Sequence, residues 1–187
     1  MEEHVPPSVL RQLPNVLTTL RLLAVPLFAV LVIRADGGES SAAAVVFAFA
    51  AVTDFLDGEL SRRLHAQSRY GRVLDPIADR LLIDVAVVLL WMDARVPLLL
   101  VLIVLARDLL LLFSLLFGKG RHLGIRVNVV GKAGTLVTMI GLLLAIVTPP
   151  GTTATLLVLW TGVVLLVLGG LVYARALRRL PRARESQ

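Results

Sequence analysis

The chain contains no cysteine in 187 residues, which excludes disulfides, thiol nucleophiles and thiolate-ligated metals. Charge is also scarce: Asp, Glu, Lys and Arg make up 17% of the residues, against about 25% in an average soluble domain. Aromatic residues are only 5%. The net charge of +6 and the pI near 11.0 therefore lack the aromatic-rich basic surface of a nucleic-acid binder, and no nucleic-acid partner is expected. The N-terminus, MEEHVPP, has no basic n-region, so a cleaved signal peptide is not expected and the whole chain reads as mature protein. Internal repeats, low-complexity tracts and a soluble domain are likewise missing, which leaves one domain over residues 1–187.

What the chain has in quantity is apolar surface. Hydrophobic residues make up 57% of the sequence and the mean hydropathy is +0.86, more than a water-soluble domain of this length needs. Apolar runs recur at 16–33, 42–56, 73–92, 96–117, 127–147 and 153–174, and about 20 helical residues cross a bilayer core. The expected fold is an all-α integral membrane protein with six transmembrane helices. With both termini cytosolic, the inside segments and adjoining span ends hold 16 of the 19 Lys and Arg; only Arg34 and Arg95 fall outside, and Arg107 sits within the fourth span. That asymmetry obeys the positive-inside rule. It predicts a multi-pass cell-membrane protein whose 54–80 segment faces the cytosol. Short turns are expected at RADGGESS (34–41), FGKGRHLG (117–124) and TPPGT (148–152).

The segment from Asp54 to Arg80 places four aspartates and five arginines between two apolar runs. Asp54 and Asp57 are three apart, Asp75 and Asp79 four apart, so on helices each pair shares a face. The second and third spans then present four carboxylates on either side of a loop over 59–71. Each ionised carboxylate near hydrocarbon costs at least about 2.5–3.5 kcal/mol. A cluster of four calls for a counter-charge or a water-filled site. All-oxygen ligation suits two hard divalent cations, Mg²⁺ or Mn²⁺, and such a pair suits displacement at phosphorus. The plainer alternative is a set of surface acids paired with the local arginines at a helix-loop-helix corner.

Written out, the segment is Asp54-x2-Asp57-Gly58-x2-Ser61-Arg62-x8-Gly71-x3-Asp75-x3-Asp79. This resembles the signature of the CDP-alcohol phosphatidyltransferase family, D-x2-D-G-x2-A-R-x8-G-x3-D-x3-D, at every spacing. Ser61 stands where the family usually has Ala, a small-for-small change. PNVLTTLRLLAVP (14–26) and LDPIADR (74–80) look like the first and third spans of the phosphatidylglycerophosphate and cardiolipin synthase branch. The resemblance implies that Asp54, Asp57 and Asp75 hold two divalent cations on the diphosphate of CDP-diacylglycerol. Asp79 is a further ligand or the general base. Asp57, Gly58, Arg62, Ser68, Gly71 and Asp75 would bind the CDP-alcohol; for the glycines a tight turn is the alternative. A homodimer is implied as well.

Other residues carry weaker signals. Asn15, Thr18 and Arg21 match family polar positions at the edge of the site, although Asn15 could merely cap a helix. Arg107 with Asp108 is either part of the site or an ion pair within a span. Arg121, Arg126 and Lys132 could bind an acceptor's phosphate or act as topology anchors, and VGKAG (130–134) offers small-residue packing through Gly131 and Gly134. His65 and His122 read as interfacial. The tail RALRRLPRAR reads as an anchor for anionic lipid. Three acceptors fit the resemblance: glycerol 3-phosphate, phosphatidylglycerol and inositol phosphate. LDPIADR disfavours the third. Glycerol 3-phosphate is the first expectation, while ARD (106–108), where glycerophosphate enzymes commonly have ARE, leans towards phosphatidylglycerol. A cation channel or transporter would instead spread acids through several spans, and only Asp84 and Asp108 could serve it.

Overall fold

The computed structural model describes the backbone of residues 8–64, 71–117 and 129–178, and the side chains of residues 16, 19–53, 80–113 and 129–172. The described chain is all helical. Six helices follow in order: α1 (Ser8–Arg34), α2 (Ser41–Leu64), α3 (Gly71–Met92), α4 (Leu98–Phe117), α5 (Val129–Val147) and α6 (Thr153–Arg178). Each contains all or most of one of the six apolar runs. Among the described residues, Val129–Val147 and Thr153–Val172 are long and apolar enough to cross a membrane, and Ser41–Thr53 is a shorter apolar stretch.

Two helix ends depart from the hydropathy pattern. α1 begins at Ser8, before the apolar run, and α2 continues to Leu64, through residues expected in part to be loop. Apolarity marks where a helix could meet lipid, whereas the helix itself ends only where propensity fails. ELSRRL (59–64) contains good helix formers and no proline, so α2 continues past its apolar part.

The chain divides into two compact units, Met1–Val96 with Ala145–Pro150, and Pro97–Leu144 with Gly151–Gln187. In the first unit α1 packs against both α2 and α3. Its core is lined by Val25, Phe28 and Val32 of α1, Ala43, Phe47 and Ala50 of α2, and Leu82, Ala86, Val87 and Leu90 of α3, all buried. The rings of Phe28 and Phe47 lie 5.5 Å apart, tilted by 48°, within the favourable range for an aromatic pair.

The turn between α1 and α2 uses the left-handed region at Asp36 and Gly37, with φ of 49° and 73°. Ser40 then caps α2, its Oγ accepting from the Ala43 N–H at 3.2 Å. A buried arginine ties this turn to two others. Arg95, only 4% exposed, donates through Nη1 to the carbonyls of Ala145 (2.9 Å) and Thr148 (2.7 Å) and through Nη2 to that of Gly37 (2.7 Å). A cation at the C-terminal end of α5 complements the helix dipole and satisfies carbonyls left open there. Arg95 is thus a structural cation, which accounts for its falling outside the cytosolic clustering of positive charge.

In the second unit α4 packs on α6, and α5 meets α6 through an antiparallel ladder of small residues. A Cβ built on Gly169 would lie 2.7 Å from the Cα of Gly131; one on Gly134, 2.7 Å from the backbone N of Leu166; one on Gly162, 2.5 Å from Thr138 Oγ1; and one on Gly141, 2.8 Å from a Leu159 methyl. The missing Cβ atoms let the two backbones approach closely, which is the packing membrane helices favour. Thr138 Oγ1 donates to the Gly134 carbonyl at 2.8 Å, so its hydroxyl is satisfied within α5.

Large apolar side chains are exposed on all six helices, among them Leu23, Phe49, Met92, Leu110, Leu136 and Leu157. Such coverage would be an aggregation hazard in water.

Candidate active site

The aspartates lie on two helices of the first unit. Asp54 and Asp57 are in the C-terminal half of α2, with Gly58 and Arg62 beyond them; α3 opens with Gly71 and carries Asp75 and Asp79 in its first nine residues. Each pair therefore occupies one helical face, as the spacings of three and four require. Thr53, immediately before Asp54, is buried and donates its hydroxyl to the carbonyls of Phe49 (2.9 Å) and Ala50 (2.8 Å). It needs no other partner where α2 leaves the apolar core. Nothing in its sequence context marks that role.

Two contacts set the register of α1 against its neighbours. Starting from the Phe28–Phe47 ring pair, seven residues back along α1 is Arg21, and seven forward along the antiparallel α2 is Asp54. At a rise of 1.5 Å per residue both stand about 10 Å from the rings. The bond from Arg95 to Gly37, 58 positions earlier, brings the C-terminal end of α3 to that of α1. The same offset pairs Arg21 with Asp79. Arg21, Asp54 and Asp79 thus share one layer to within about a helical turn, and Thr18, Asp57 and Asp75 the next. Arg21 is 2% exposed.

Residues 11–168 match the CDP-alcohol phosphatidyltransferase family, a segment that includes all four aspartates, both glycines and Arg62. The chain belongs to this family. The cardiolipin synthase (CMP-forming) of Streptomyces coelicolor is 39% identical over 185 residues, covering 91% of this chain and 85% of that protein. The CDP-diacylglycerol–glycerol-3-phosphate 3-phosphatidyltransferase of Pseudomonas fluorescens is 49% identical over 78 residues, 42% of this chain and 40% of that protein. The enzyme of the same name from Escherichia coli K12 is 30% identical over 139 residues, 70% and 74% of the two chains.

The remaining candidates of this phosphatidyltransferase fall elsewhere. Asn15 and Thr18 lie on α1, two turns and one turn before Arg21. Ser68, Arg121 and Arg126 lie outside the described residues, as do His65, His122 and the basic tail beyond Arg178. Arg107 and Lys132 belong to the second unit. Arg107 is half-buried and its Nη1 meets the Oδ1 of the buried Asp108 at 2.5 Å, so within α4 the two form an ion pair. Lys132, in the first turn of α5, is exposed. The described residues contain no group of three metal-ligating side chains; the carboxylates of the four motif aspartates are outside the described side chains.

Proposed function

We propose that this membrane phosphatidyltransferase moves the phosphatidyl group of CDP-diacylglycerol to the primary hydroxyl of glycerol 3-phosphate, giving phosphatidylglycerophosphate and CMP. The observation that carries this reading is the complete aspartate motif, at family spacing, on two helices that both pack against α1. A second reading, with phosphatidylglycerol as acceptor and cardiolipin as product, draws support from the Streptomyces cardiolipin synthase, whose similarity covers 91% of the chain.

The donor set fits a pair of hard divalent cations, Mg²⁺ or Mn²⁺. Asp54, Asp57, Asp75 and Asp79 offer only oxygen, the chain has no cysteine to offer anything softer, and adjacent layers of α2 and α3 carry the four positions. When bound, such a pair neutralises the diphosphate and stabilises the departing CMP. Asp54, Asp57 and Asp75 would hold it, with Asp79 a further ligand or the general base. As the base, Asp79 takes the hydroxyl proton as the acceptor oxygen bonds to the lipid-bearing phosphorus and the bond from that phosphorus to CMP breaks. Arg62 and Ser68 offer donors to the CDP group, and Gly58 and Gly71 leave room for backbone to approach it. Arg121, Arg126 and Lys132 are either topology anchors or the positive charge for an acceptor phosphate.

The same reading makes residues 1–187 one membrane domain of six spans, with both termini and the aspartates on the cytosolic side. The exposed apolar side chains on all six helices and the clustering of Lys and Arg support it. By family resemblance the working form is a homodimer.

Purified protein offered labelled CDP-diacylglycerol and each acceptor in turn tests the proposal. CMP release with phosphatidylglycerophosphate as product is expected for glycerol 3-phosphate. Cardiolipin formed only from phosphatidylglycerol would establish the second reading, and no CMP with any acceptor would end both.

A further inference from the structure

Arg21 is among the largest fully buried side chains of the molecule, at 2% exposure, and it is a cation. A guanidinium taken out of water this completely needs acceptors around it, and charged ones compensate it best. Its helix, α1, is the one that packs against both aspartate-bearing helices. The Phe28–Phe47 and Arg95–Gly37 contacts put its Cα within about a helical turn of the level of Asp54 and Asp79. Long side chains on a helix lean towards its N-terminus, which for α1 is the direction of the Thr18, Asp57 and Asp75 layer. Asp84, the other acid on α3 near this depth, stands five residues further along, about 7.5 Å in the opposite direction.

Burial also bears on what Arg21 can touch. A group that grips a diphosphate or an incoming acceptor must be reachable from the site. This one is enclosed by its own unit. Its five donors can nonetheless orient carboxylates from behind, in the way outer-shell partners orient metal ligands.

We infer that Arg21 is a positioning residue for the phosphatidyl transfer: a buried cation in the Asp54–Asp79 layer that orients the motif carboxylates and so sets how tightly they bind a divalent cation. The inference rests on the proposed reaction, in which those carboxylates are the ligands.

The test compares Arg21→Gln and Arg21→Lys with the parent protein in two measurements: calorimetric Mn²⁺ binding without lipid, and the Mn²⁺ dependence of CMP release. For Arg21→Gln the Mn²⁺ affinity should fall by about 10–100-fold, the loss typical of removing an outer-shell partner. The activation midpoint should rise by the same factor, and excess Mn²⁺ should restore turnover to within about threefold. Arg21→Lys, which keeps the charge and loses the fork, should fall between. Unchanged Mn²⁺ affinity with a raised KM for the acceptor would make Arg21 an acceptor contact and overturn the inference. So would a lowered melting temperature alone. Should Arg21→Gln not fold, Arg21→Lys decides: Mn²⁺ affinity equal to that of the parent overturns the inference, and a loss supports it. If the parent binds Mn²⁺ yet releases no CMP, the proposed reaction fails while the calorimetric comparison still judges Arg21.

Discussion

Phe28 of α1 and Phe47 of α2 meet ring to ring, 5.5 Å apart, and this contact determines which residues of the first helix stand beside the aspartates of the second. A slip of α1 by one turn would exchange the layer of Arg21 for that of Thr18. The pair is buried on both sides, so the register is held by apolar packing well away from the charged end.

Activity should depend on added Mg²⁺ or Mn²⁺. The motif supplies carboxylate oxygen and no soft donor, so excess EDTA should abolish CMP release and either ion should restore it. Full turnover in EDTA would remove the cations from the mechanism.

Asp57→Asn and Asp75→Asn should each abolish turnover while the protein still inserts and purifies with an unchanged elution profile. Taking a charge off a membrane helix lowers a burial cost, so loss of fold is not the expected outcome. Aggregation of both variants would instead point to a structural role for the acids.

Asp79→Asn separates base from ligand. As a base, it loses at least the roughly 10²-fold typical of general-base catalysis, with CDP binding in Mn²⁺ retained because three carboxylates remain. Calorimetry of CDP binding beside the turnover assay reads both quantities; a parallel fall in CDP affinity would make Asp79 chiefly a ligand.

Within α6, two glycines should respond differently to the same substitution. Gly162→Ala drives a methyl to within 2.5 Å of Thr138 Oγ1 and 2.7 Å of its backbone N, whereas at Gly170 nothing lies within 4 Å. The first should cost about 1–3 kcal/mol of stability, and the second should be neutral or slightly favourable through helix propensity. Thermal unfolding in detergent, side by side, checks the contrast.

Arg95→Met should lower stability by at least about 2 kcal/mol, because it strips three carbonyls of their donor in one step. Turnover per folded molecule should hold, since Arg95 lies beyond the end of α3 at Met92, about 20 Å of helix from Asp79. Melting temperature and specific activity of the soluble fraction distinguish the two effects.

The aspartate spacings and their helical setting were legible in the sequence because period and charge are local properties. Gly134 was legible as a packing residue for the same reason, whereas a Cβ on Gly131 would meet nothing and the close approach there depends on Gly169. Their partners, Gly169 and Leu166, were not legible, since small residues carry no mark of which helix they face. The end of α2 was missed because hydropathy falls where lipid would end, and the backbone has no reason to stop there. Arg95 stood out as a misplaced charge, and only its three carbonyl partners explain it. The burial of Arg21 was out of reach: it follows from α1 packing on two helices at once, which no periodicity within α1 announces.

The three carbonyls bound by Arg95 belong to Gly37, Ala145 and Thr148, so one side chain bolts the same end of the first unit at three points. The aspartates lie at the other end of α2 and α3. One rivet thus carries the join of three helix ends, so a change at Arg95 is felt by all of them together while the aspartate spacing along α2 and α3 is untouched.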